Sequence, residues 1–345
     1  MPTDDPSGID STSVTPWLLA HVPGSEAPFA FDQIAGGASN LTFRVTDGHG
    51  RKVVLRRPPM GHVLASAHDM GREFRIIDAL WPTDVPVPRP FGLCADEAVN
   101  GADFYVMDFV EGSIVFDLAD GNAVDRALRP IMTDSLVDTL AVLHTVDPDD
   151  VGLGDLGRKA DYCGRQLRRW KRQVDEGSDR DLPLVTELHD RMAATMPGQQ
   201  GAGIVHGDFR LDNCMMSHDG SVAAVLDWEL CTLGDVLADL AGMVMWWGDE
   251  TGVGRLSETP TLAEGFGDAS HVIERYGETS ERDLSDLPWY VAFQYWRLAC
   301  ISEGVRVRFA AGVMGETDRE TDEYGDSITY LLERSKAVLD ADTLD

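Results

Sequence analysis

The pattern of apolar and turn residues changes once along the chain, close to Gly112, and this change restricts the possible folds. Before Gly112 the pattern favours short strands, and after it helical spacing dominates. Strands followed by a run of helices are typical of an α+β protein. The sequence therefore predicts a bilobal α+β fold, with an N-lobe at residues 29–111 and a larger, mainly helical C-lobe at residues 112–345. Residues 1–28 are predicted to form an N-terminal tail that is partly disordered.

The N-lobe pattern predicts a five-stranded antiparallel sheet with one helix. Residues 47–50, Asp-Gly-His-Gly, supply a hairpin turn whose residues tolerate positive φ. In the helix, Met70, Phe74 and Ile77 recur at helical spacing, and Pro82 follows its end. The predicted strands are 29–34, 40–46, 51–56, 91–94 and 104–109, and the predicted helix is 68–80.

The C-lobe pattern predicts a series of helices with two short strands among them. The length of 345 residues suits two lobes, because a single hydrophobic core stops growing at roughly 250–300 residues. The predicted helices are 125–144, 161–175, 184–196, 234–247, 261–276, 287–308 and 322–339, and the predicted strands are 204–206 and 222–226.

The charge of the chain excludes two classes of partner. It carries 59 acidic residues against 29 Lys and Arg, a formal net charge of −30. Binding to nucleic acid depends on Lys and Arg that displace counterions from phosphates, and anionic membrane surfaces attract the same cations. We therefore expect neither a nucleic acid nor a membrane as partner. The sequence does not predict an oligomeric state.

Cysteines and termini favour a cytoplasmic protein. The five cysteines are scattered without a C-x-x-C pair, so they indicate neither a disulfide framework nor a zinc site. Residues 1–16 have no basic and apolar regions of a signal peptide. The longest apolar stretch, 236–247, is interrupted by Asp239 and is too short to span a membrane.

Three polar residues at the ends of short C-lobe strands indicate the chemistry. His206-Gly207-Asp208 is followed by Asn213, and Asp227 ends the apolar strand at 222–226. Phosphoryl transfer from Mg-ATP needs a carboxylate that orients and deprotonates the accepting hydroxyl, and hard oxygen ligands for Mg²⁺. The pattern therefore predicts Asp208 as the catalytic residue and Asn213 and Asp227 as metal ligands.

An Asp-rich chain carries Asp and Asn in loops in any case, so the spacing has to be weighed against chance. With the composition of this chain, H-G-D-x4-N arises by chance in roughly one chain in a thousand. Asp227, behind an apolar strand, lowers that chance further. We therefore interpret the motif as functional.

With these residues the sequence resembles the aminoglycoside phosphotransferase and choline kinase-like superfamily, which shares the protein-kinase fold. Within it, the segments 39–42 (Ser-Asn-Leu-Thr), 53–59 (Val-Val-Leu-Arg-Arg-Pro-Pro), 206–210 (His-Gly-Asp-Phe-Arg) and 226–229 (Leu-Asp-Trp-Glu) are similar to the kinase-like domains fused to acyl-CoA dehydrogenases. The resemblance covers the chain from about Phe31 to the C-terminal helix. It implies an ATP- and Mg²⁺-dependent phosphotransferase.

The resemblance implies a nucleotide site in the N-lobe. Arg56 stands on the third strand where such kinases carry a lysine, and it would hold the α- and β-phosphates. A guanidinium can fork between phosphate oxygens, so the replacement is chemically workable. Strand alternation puts Val54 on the same face, against the adenine, and directs Arg57 away. The loop that covers the phosphates would include Gly37, Ser39 and Asn40.

Further nucleotide contacts follow from the same resemblance. Glu73, on the N-lobe helix, would pair with Arg56, although a solvated helix face is an alternative. The hinge between the lobes would place Met107 behind the adenine, and the Asp108 carbonyl and Val110 amide would bind its edge.

Two C-lobe residues are predicted to support the site without taking part in the chemistry. Asp239 matches the family position that braces the catalytic loop through backbone hydrogen bonds. His206 is expected to be packed and hydrogen-bonded, and not a base.

The acceptor is predicted to be a small molecule. Only seven residues separate Asp227 from Asp235, where a new helix is expected, so there is no activation segment to hold a peptide.

The acceptor residues are expected in the helical half, where the signal is thin. Arg165, Arg168, Arg169 and Arg172 form one basic stripe, which is either an anion-binding face or a set of local ion pairs. Aromatic residues and Arg297 on the long C-terminal helix either line the acceptor cleft or pack in the core. The acceptor candidates are Arg165, Arg169, Trp296 and Arg297.

Three functions stay open at this point. The first is a small-molecule kinase that acts on a hydroxyl, such as that of a hydroxy acid or a hydroxyacyl-CoA. The second is an aminoglycoside-type antibiotic kinase. The third is a nucleotide-binding scaffold without activity, for which the only argument is the Arg56 replacement, and the set Asp208, Asn213 and Asp227 argues against it.

Overall fold

Five strands form one antiparallel sheet in the order β1-β2-β3-β5-β4. The computed structural model describes residues 5–34, 40–60, 69–247, 258–312 and 321–341 of the chain. The sheet and the mainly helical remainder confirm the predicted fold class. The strands are β1 Ala30–Gln33, β2 Leu41–Thr46, β3 Lys52–Arg57, β4 Pro90–Cys94 and β5 Phe104–Asp108.

The alternation of β3 divides the sheet into two apolar faces. Val53 and Leu55 belong to a core on the outer face, and Val54 belongs to the large core that continues into the C-lobe. In the register, Val54 lies opposite Met107, and both are buried on the C-lobe side. Because alternate residues of a strand share a face, Arg56 points towards the C-lobe together with Val54, as the sequence predicts.

The predicted N-terminal tail contains a helix, which corrects the expectation of disorder there. Helix α1 is Ser11–His21, and the Asp10 side chain caps it by accepting from the backbone N–H of Thr12 and Ser13. Val14 and Leu18 are fully buried against the outer face of the sheet. The helix thus closes a sheet face that would otherwise expose apolar side chains.

Helix α2, Met70–Leu80, connects the sheet to the C-lobe. Asp69 caps its first turn by accepting from the backbone N–H of Arg72. The Arg72 guanidinium donates to the carbonyl oxygens of Leu156 (3.0 Å) and Cys231 (2.7 Å), both in the C-lobe. The orientation of α2 is therefore tied to the catalytic half of the protein.

The C-lobe is built around a long helix near the C-terminus. This helix, α10 (Leu287–Ala310), packs against its neighbours α6, α7, α8 and α11. No helix among the described residues combines the length and apolar character that crossing a membrane requires. The other helices are α3 Glu97–Asn100, α4 Leu118–Ala123, α5 Arg129–Thr145, α6 Tyr162–Gly177, α7 Pro183–Ala194, α8 Leu237–Trp246, α9 Ala269–Thr279 and α11 Thr321–Ala341.

One predicted C-lobe helix is wrong in its first half. Residues 261–276 were expected as a single helix, but Pro260–Leu262 form a short 3-10 turn and α9 begins only at Ala269. Gly265 and Gly267, with φ of 113° and 79°, separate the two. These backbone angles lie outside the helical region, so the apolar periodicity does not continue as a helix.

The loops that contain the predicted site residues begin and end at two short pairs of strands. Strands β6 (Gly203–Val205) and β9 (Thr232–Gly234) pair with each other, as do β7 (Cys214–Met216) and β8 (Val222–Val225). The sequence predicts β6 and β8 but not their partners.

Candidate active site

The loop between β6 and β7 carries Asp208 and Asn213 and holds them together. The Asn213 amide nitrogen donates to the Asp208 backbone carbonyl at 2.8 Å and to its carboxylate at 3.0 Å. These two bonds fix the orientation of the amide, so its oxygen points away from Asp208. A 3-10 turn, Leu211–Asn213, bends the loop so that Asn213 comes back to Asp208.

Asp227 is brought to the same place by the pairing of β7 with β8. The Leu226 N–H donates to the Asn213 carbonyl at 2.8 Å, so the two predicted metal ligands lie on adjacent chain segments. Asp227 has left-handed backbone angles, φ 60° and ψ 67°. Such angles are uncommon for a residue other than Gly and are concentrated at functional sites.

Arg56 links the N-lobe to this cluster. Its guanidinium lies 3.2 Å from the Glu73 carboxylate and 3.1 Å from that of Asp227. Burial disfavours the charge of Arg56, but Tyr105, Glu73 and Asp227 raise the pKa above its ordinary value. The pairing of Arg56 with Glu73 is the one that the family resemblance implies.

Glu73 is one of the most enclosed carboxylates of the N-lobe, with 2% of the residue exposed. Burial raises the pKa of Glu73, and the charge of Arg56 and a hydrogen bond from Tyr105 oppose that rise. The Tyr105 hydroxyl and the Asn40 amide each donate to it at 3.0 Å. Asn40, expected at the phosphates, thus helps to hold Glu73 in place. Gly37 and Ser39 lie outside the described residues.

The predicted adenine contacts lie around the end of β5. Val54 and Met107 are neighbours across the sheet and are buried on its C-lobe side. Asp108 ends β5, and Val110 follows where the chain leaves the sheet. Arg51 approaches the Asp108 carboxylate at 3.7 Å.

His206 and Asp239 support the catalytic loop. Asp239 accepts hydrogen bonds from the backbone N–H of His206 (2.6 Å) and Gly207 (2.9 Å). Burial opposes its ionisation, but the hydrogen bond from His144 and the loop amides lower the pKa of Asp239. The His206 ring donates from Nε2 to the Leu226 carbonyl at 2.9 Å, and its Nδ1 accepts from the Asp208 N–H at 3.3 Å. Both residues therefore hold backbone groups, and both ring nitrogens of His206 are used in these hydrogen bonds.

Sequence reasoning missed Arg210, which directly contacts Asp208, the residue predicted to be catalytic. Its Nε lies 3.0 Å from Asp208, another nitrogen lies 3.0 Å from Asp212, and the guanidinium stacks 4.5 Å above the Trp246 ring. Burial raises the pKa of Asp212, and Arg210 opposes that rise. Its position two residues after Asp208 was the only signal in the sequence.

A cavity of about 140 Å³ opens beside Asp208, and we call it the Asp208 cavity. It lies against α8 and α10, and α10 contributes the predicted acceptor residue Arg297. Its walls include Asp208, Leu230, Met245, Trp246, Arg297 and Ile301. A second cavity of about 190 Å³ lies on the other side of Trp246 and is lined by Arg210, Phe116 and Trp247 among others.

The other three acceptor candidates, Trp296, Arg165 and Arg169, do not line the Asp208 cavity. Trp296 is fully buried, and its indole N–H donates to the Val185 carbonyl at 3.0 Å, so it packs in the core. Arg165 donates to the Arg158 carbonyl at 2.7 Å. Arg169 is exposed and lies over the ring of Trp170 at 5.0 Å. Of the basic stripe of α6, Arg168 pairs with Asp161, while Nη1 of Arg165 is buried without a hydrogen-bond partner among the described residues.

The donor set of the site is small. The described residues contain no group of three or more His, Cys, Asp or Glu side chains that could hold a metal ion. Asp227, with a side chain that is 33% exposed, and the oxygen of Asn213 are the oxygen donors at the strand ends. Such a set suits a cation that takes its remaining ligands from water and phosphates.

Known proteins share both the sequence and the fold. A protein from Ralstonia eutropha, provisionally named an aminoglycoside phosphotransferase, has a crystal structure with a TM-score of 0.82 at 32% identity, over 95% of this chain and 98% of that one. Amicoumacin kinase hAmiN has a TM-score of 0.59 at 17% identity, over 95% and 94% of the two chains, and shares the fold.

A longer relative comes from Arabidopsis thaliana. The protein IBR3, named a probable acyl-CoA dehydrogenase, is 36% identical over 321 residues, which are 87% of this chain and 39% of IBR3. The chain thus spans well under half of that relative. This match agrees with the predicted resemblance to domains fused to acyl-CoA dehydrogenases.

The profile of the phosphotransferase enzyme family matches residues 31–283. Because this match covers more than half of the chain, the chain belongs to the phosphotransferase enzyme family.

Proposed function

We propose that the protein is an ATP- and Mg²⁺-dependent phosphotransferase that moves the γ-phosphoryl group to a hydroxyl of a small molecule. The convergence of Asp208, Asn213, Asp227 and Arg56 carries this proposal. These residues come from three separate chain segments, and together they supply a base, two oxygen ligands and a cation for phosphate.

The side chains fit a nucleotide with its metal ion. The amide nitrogen of Asn213 donates to Asp208, which leaves the amide oxygen for Mg²⁺, and Asp227 adds a partly exposed carboxylate. Bound Mg²⁺ would neutralise charge on the phosphate oxygens. Arg56 adds a second positive charge, which can fork between phosphate oxygens. In support, the amicoumacin kinase structure is a complex with AMP-PNP, Ca²⁺ and Ami.

Asp208 performs the acid–base part of the reaction. Its carboxylate accepts the proton of the acceptor hydroxyl as that oxygen attacks the γ-phosphorus. The bond between this phosphorus and the bridging oxygen of ADP breaks, and the electron pair leaves with ADP. The balance is ATP plus alcohol giving ADP, phosphate ester and one proton. Asp239 and His206 keep the backbone of this loop in place.

For the acceptor we propose a hydroxy acid or a hydroxyacyl-CoA. The support is the relative IBR3, whose name assigns it to the acyl-CoA dehydrogenases and which contains a segment similar to nearly the whole of this chain. An aminoglycoside-type antibiotic is the second candidate, because the Ralstonia eutropha relative carries that name at 32% identity.

The experiment is a coupled assay for ADP with Mg-ATP and a panel of hydroxy acids, hydroxyacyl-CoAs and aminoglycosides. We expect Asp208→Asn to lose at least 99% of turnover, roughly the hundredfold minimum for a positioned base. Binding of Mg-ATP, measured by calorimetry, should change little. Asp219→Asn, at the exposed turn between β7 and β8, is the matched control and should keep full activity. Turnover by Asp208→Asn equal to that of the wild type would refute the assigned role of the base.

A further inference from the structure

Arg297, a cationic residue of α10, lines the Asp208 cavity together with Asp208, the proposed catalytic base. Its Nη1 donates to the Gln294 side-chain oxygen at 3.0 Å, and Gln294 in turn donates to the backbone carbonyl of Ala238. The guanidinium is therefore held by one neutral contact that is itself anchored to the backbone.

The charge of Arg297 is not compensated by the part of the chain that is described. Its Nε is buried and has no hydrogen-bond partner there, and no described carboxylate lies within ion-pair distance of it. Three other arginines near α6 and α10, namely Arg168, Arg180 and Arg306, do pair with acidic side chains. Asp208, which shares the cavity, is paired with Arg210.

An unpaired buried N–H is costly unless a ligand satisfies it. Burying a donor without a partner costs roughly 1–3 kcal/mol in proteins. A guanidinium that is fixed on one side presents its remaining N–H groups in a plane, which matches the oxygens of a carboxylate or a phosphate. The cavity wall also includes Asp239, whose two oxygens already accept loop N–H groups, and the apolar side chains of Leu230, Met245 and Ile301.

We propose that Arg297 binds an anionic group of the acceptor, a carboxylate or a phosphate, while Asp208 faces the acceptor hydroxyl. This inference rests on the proposed phosphotransferase function and narrows its acceptor to hydroxyl compounds with a negative charge. A polycationic aminoglycoside would bring positive charge against Arg297, so it fits the Asp208 cavity poorly. The volume of about 140 Å³ is below the 300–1,000 Å³ that is usual for drug-sized ligands, and it suits the end of a small molecule.

The test compares charged acceptors with neutral ones of the same shape. The probes are 3-hydroxybutanoate and 4-hydroxybutanoate, their primary amides, and 3-hydroxybutanoyl-CoA. We expect Arg297→Gln to raise KM for the anionic acceptor by about tenfold or more, the usual effect of one lost charge-assisted hydrogen bond. KM for Mg-ATP and turnover of the amides should be unchanged. Arg297→Lys should recover part of the loss, and Arg308→Gln, exposed on the same helix, is the control.

The outcomes separate the inference from the function on which it rests. Loss with the free acids identifies a carboxylate as the anion, and loss only with the CoA ester identifies a phosphate. Equal loss with acids and amides would make Arg297 a structural residue and would overturn the inference while the kinase function stands. If wild-type protein turns over none of the probes but phosphorylates an aminoglycoside, the inference also fails.

If no acceptor gives ADP, binding of the acids and the amides is measured by calorimetry. Equal binding of both, unchanged by Arg297→Gln, would then refute the anion site independently of catalysis.

Discussion

The Arg56 guanidinium lies 3.1 Å from the carboxylate of Asp227, so the cation that we propose for phosphate binding contacts the carboxylate that we propose as a metal ligand. Arg56 also lies 3.2 Å from Glu73 and is 14% exposed. One side chain thus joins β3, α2 and the segment after β8. A nucleotide and its metal ion would enter at this junction, and the charge of Arg56 affects both the fold and the binding of substrate.

Arg56→Gln should weaken both properties together. Without its cation Glu73 stays buried and unpaired, and such a loss costs about 3–5 kcal/mol in proteins. We expect a lower free energy of unfolding in urea and at least a tenfold higher dissociation constant for Mg-ATP, with partial recovery in Arg56→Lys. Arg44→Gln, which breaks an exposed pair with Asp32 on neighbouring strands, should change stability by less than about 1 kcal/mol. Equal effects of the two substitutions would contradict the role of Arg56.

Gly207→Ala should inactivate the protein through the position of its loop. Gly207 has φ of 88°, and a Cβ there would lie 2.9 Å from the Leu230 carbonyl oxygen, so the chain beside Asp208 has to shift. Gly50 has φ of 82° with nothing within 4 Å and provides the control. Both substitutions should cost about 1–3 kcal/mol of stability, because both force Ala into a left-handed backbone. Only Gly207→Ala should reduce kcat, which steady-state assays would measure; an equal kcat in both variants would count against a fixed loop.

Asp239→Asn should reduce kcat without changing the affinity for Mg-ATP. Both carboxylate oxygens of Asp239 accept loop N–H groups. In Asp239→Asn the amide NH₂ group would face one of these N–H groups, so two donors would oppose each other. Asp235 is the control, because it is also buried but accepts from the Tyr290 hydroxyl and the Leu237 N–H, outside the catalytic loop. We expect a fall in kcat of roughly tenfold or more for Asp239→Asn and little change for Asp235→Asn. The reverse order would show that the loop does not depend on Asp239.

Much of the fold follows from the sequence because periodicity is local. The two-residue alternation of β3 predicts that Val54 and Arg56 share a face, and the cores on the two sides of the sheet agree. Helix α1 was missed because its buried residues, Val14 and Leu18, form only one turn of apolar contact. What makes this segment a helix is the apolar outer face of the sheet, and a local pattern carries no information about it.

The sequence predicted that the three polar residues of the candidate site would lie together, because the proposed chemistry demands their spacing. Residues whose place depends on packing alone could not be assigned in this way. The spacing of Asp208, Asn213 and Asp227 reflects one loop and one hairpin, so it can be read from the chain. Trp296 could not be assigned in the same way, because an aromatic residue on an apolar helix has the same pattern in a core and in a cleft. Arg210 was missed because its contacts with Asp208 and Asp212 depend on the fold of the loop.

The stability of the protein should fall in acid through Glu303, which lies on α10 but does not line the Asp208 cavity. Burial alone would raise its pKa, but hydrogen bonds from Arg306, Arg180 and Ser178 lower the pKa of Glu303 to about 2 from the ordinary 4.5. Because the folded-state pKa is the lower one, this stabilisation is present above about pH 4.5 and is lost as the pH falls towards 2.

The comparison of Glu303→Gln with wild type isolates this contribution. The variant should be less stable at pH 7 by about 2 kcal/mol, after allowance for screening by solvent, because Arg180 and Arg306 lose their shared carboxylate. The difference should shrink between pH 5 and pH 3 in urea unfolding, since protonation removes the same charge from the wild type. Glu264→Gln, at an exposed pair with Arg126, should leave the pH dependence unchanged. A constant difference across this range would mean that the Glu303 cluster stabilises the fold by packing and not by charge.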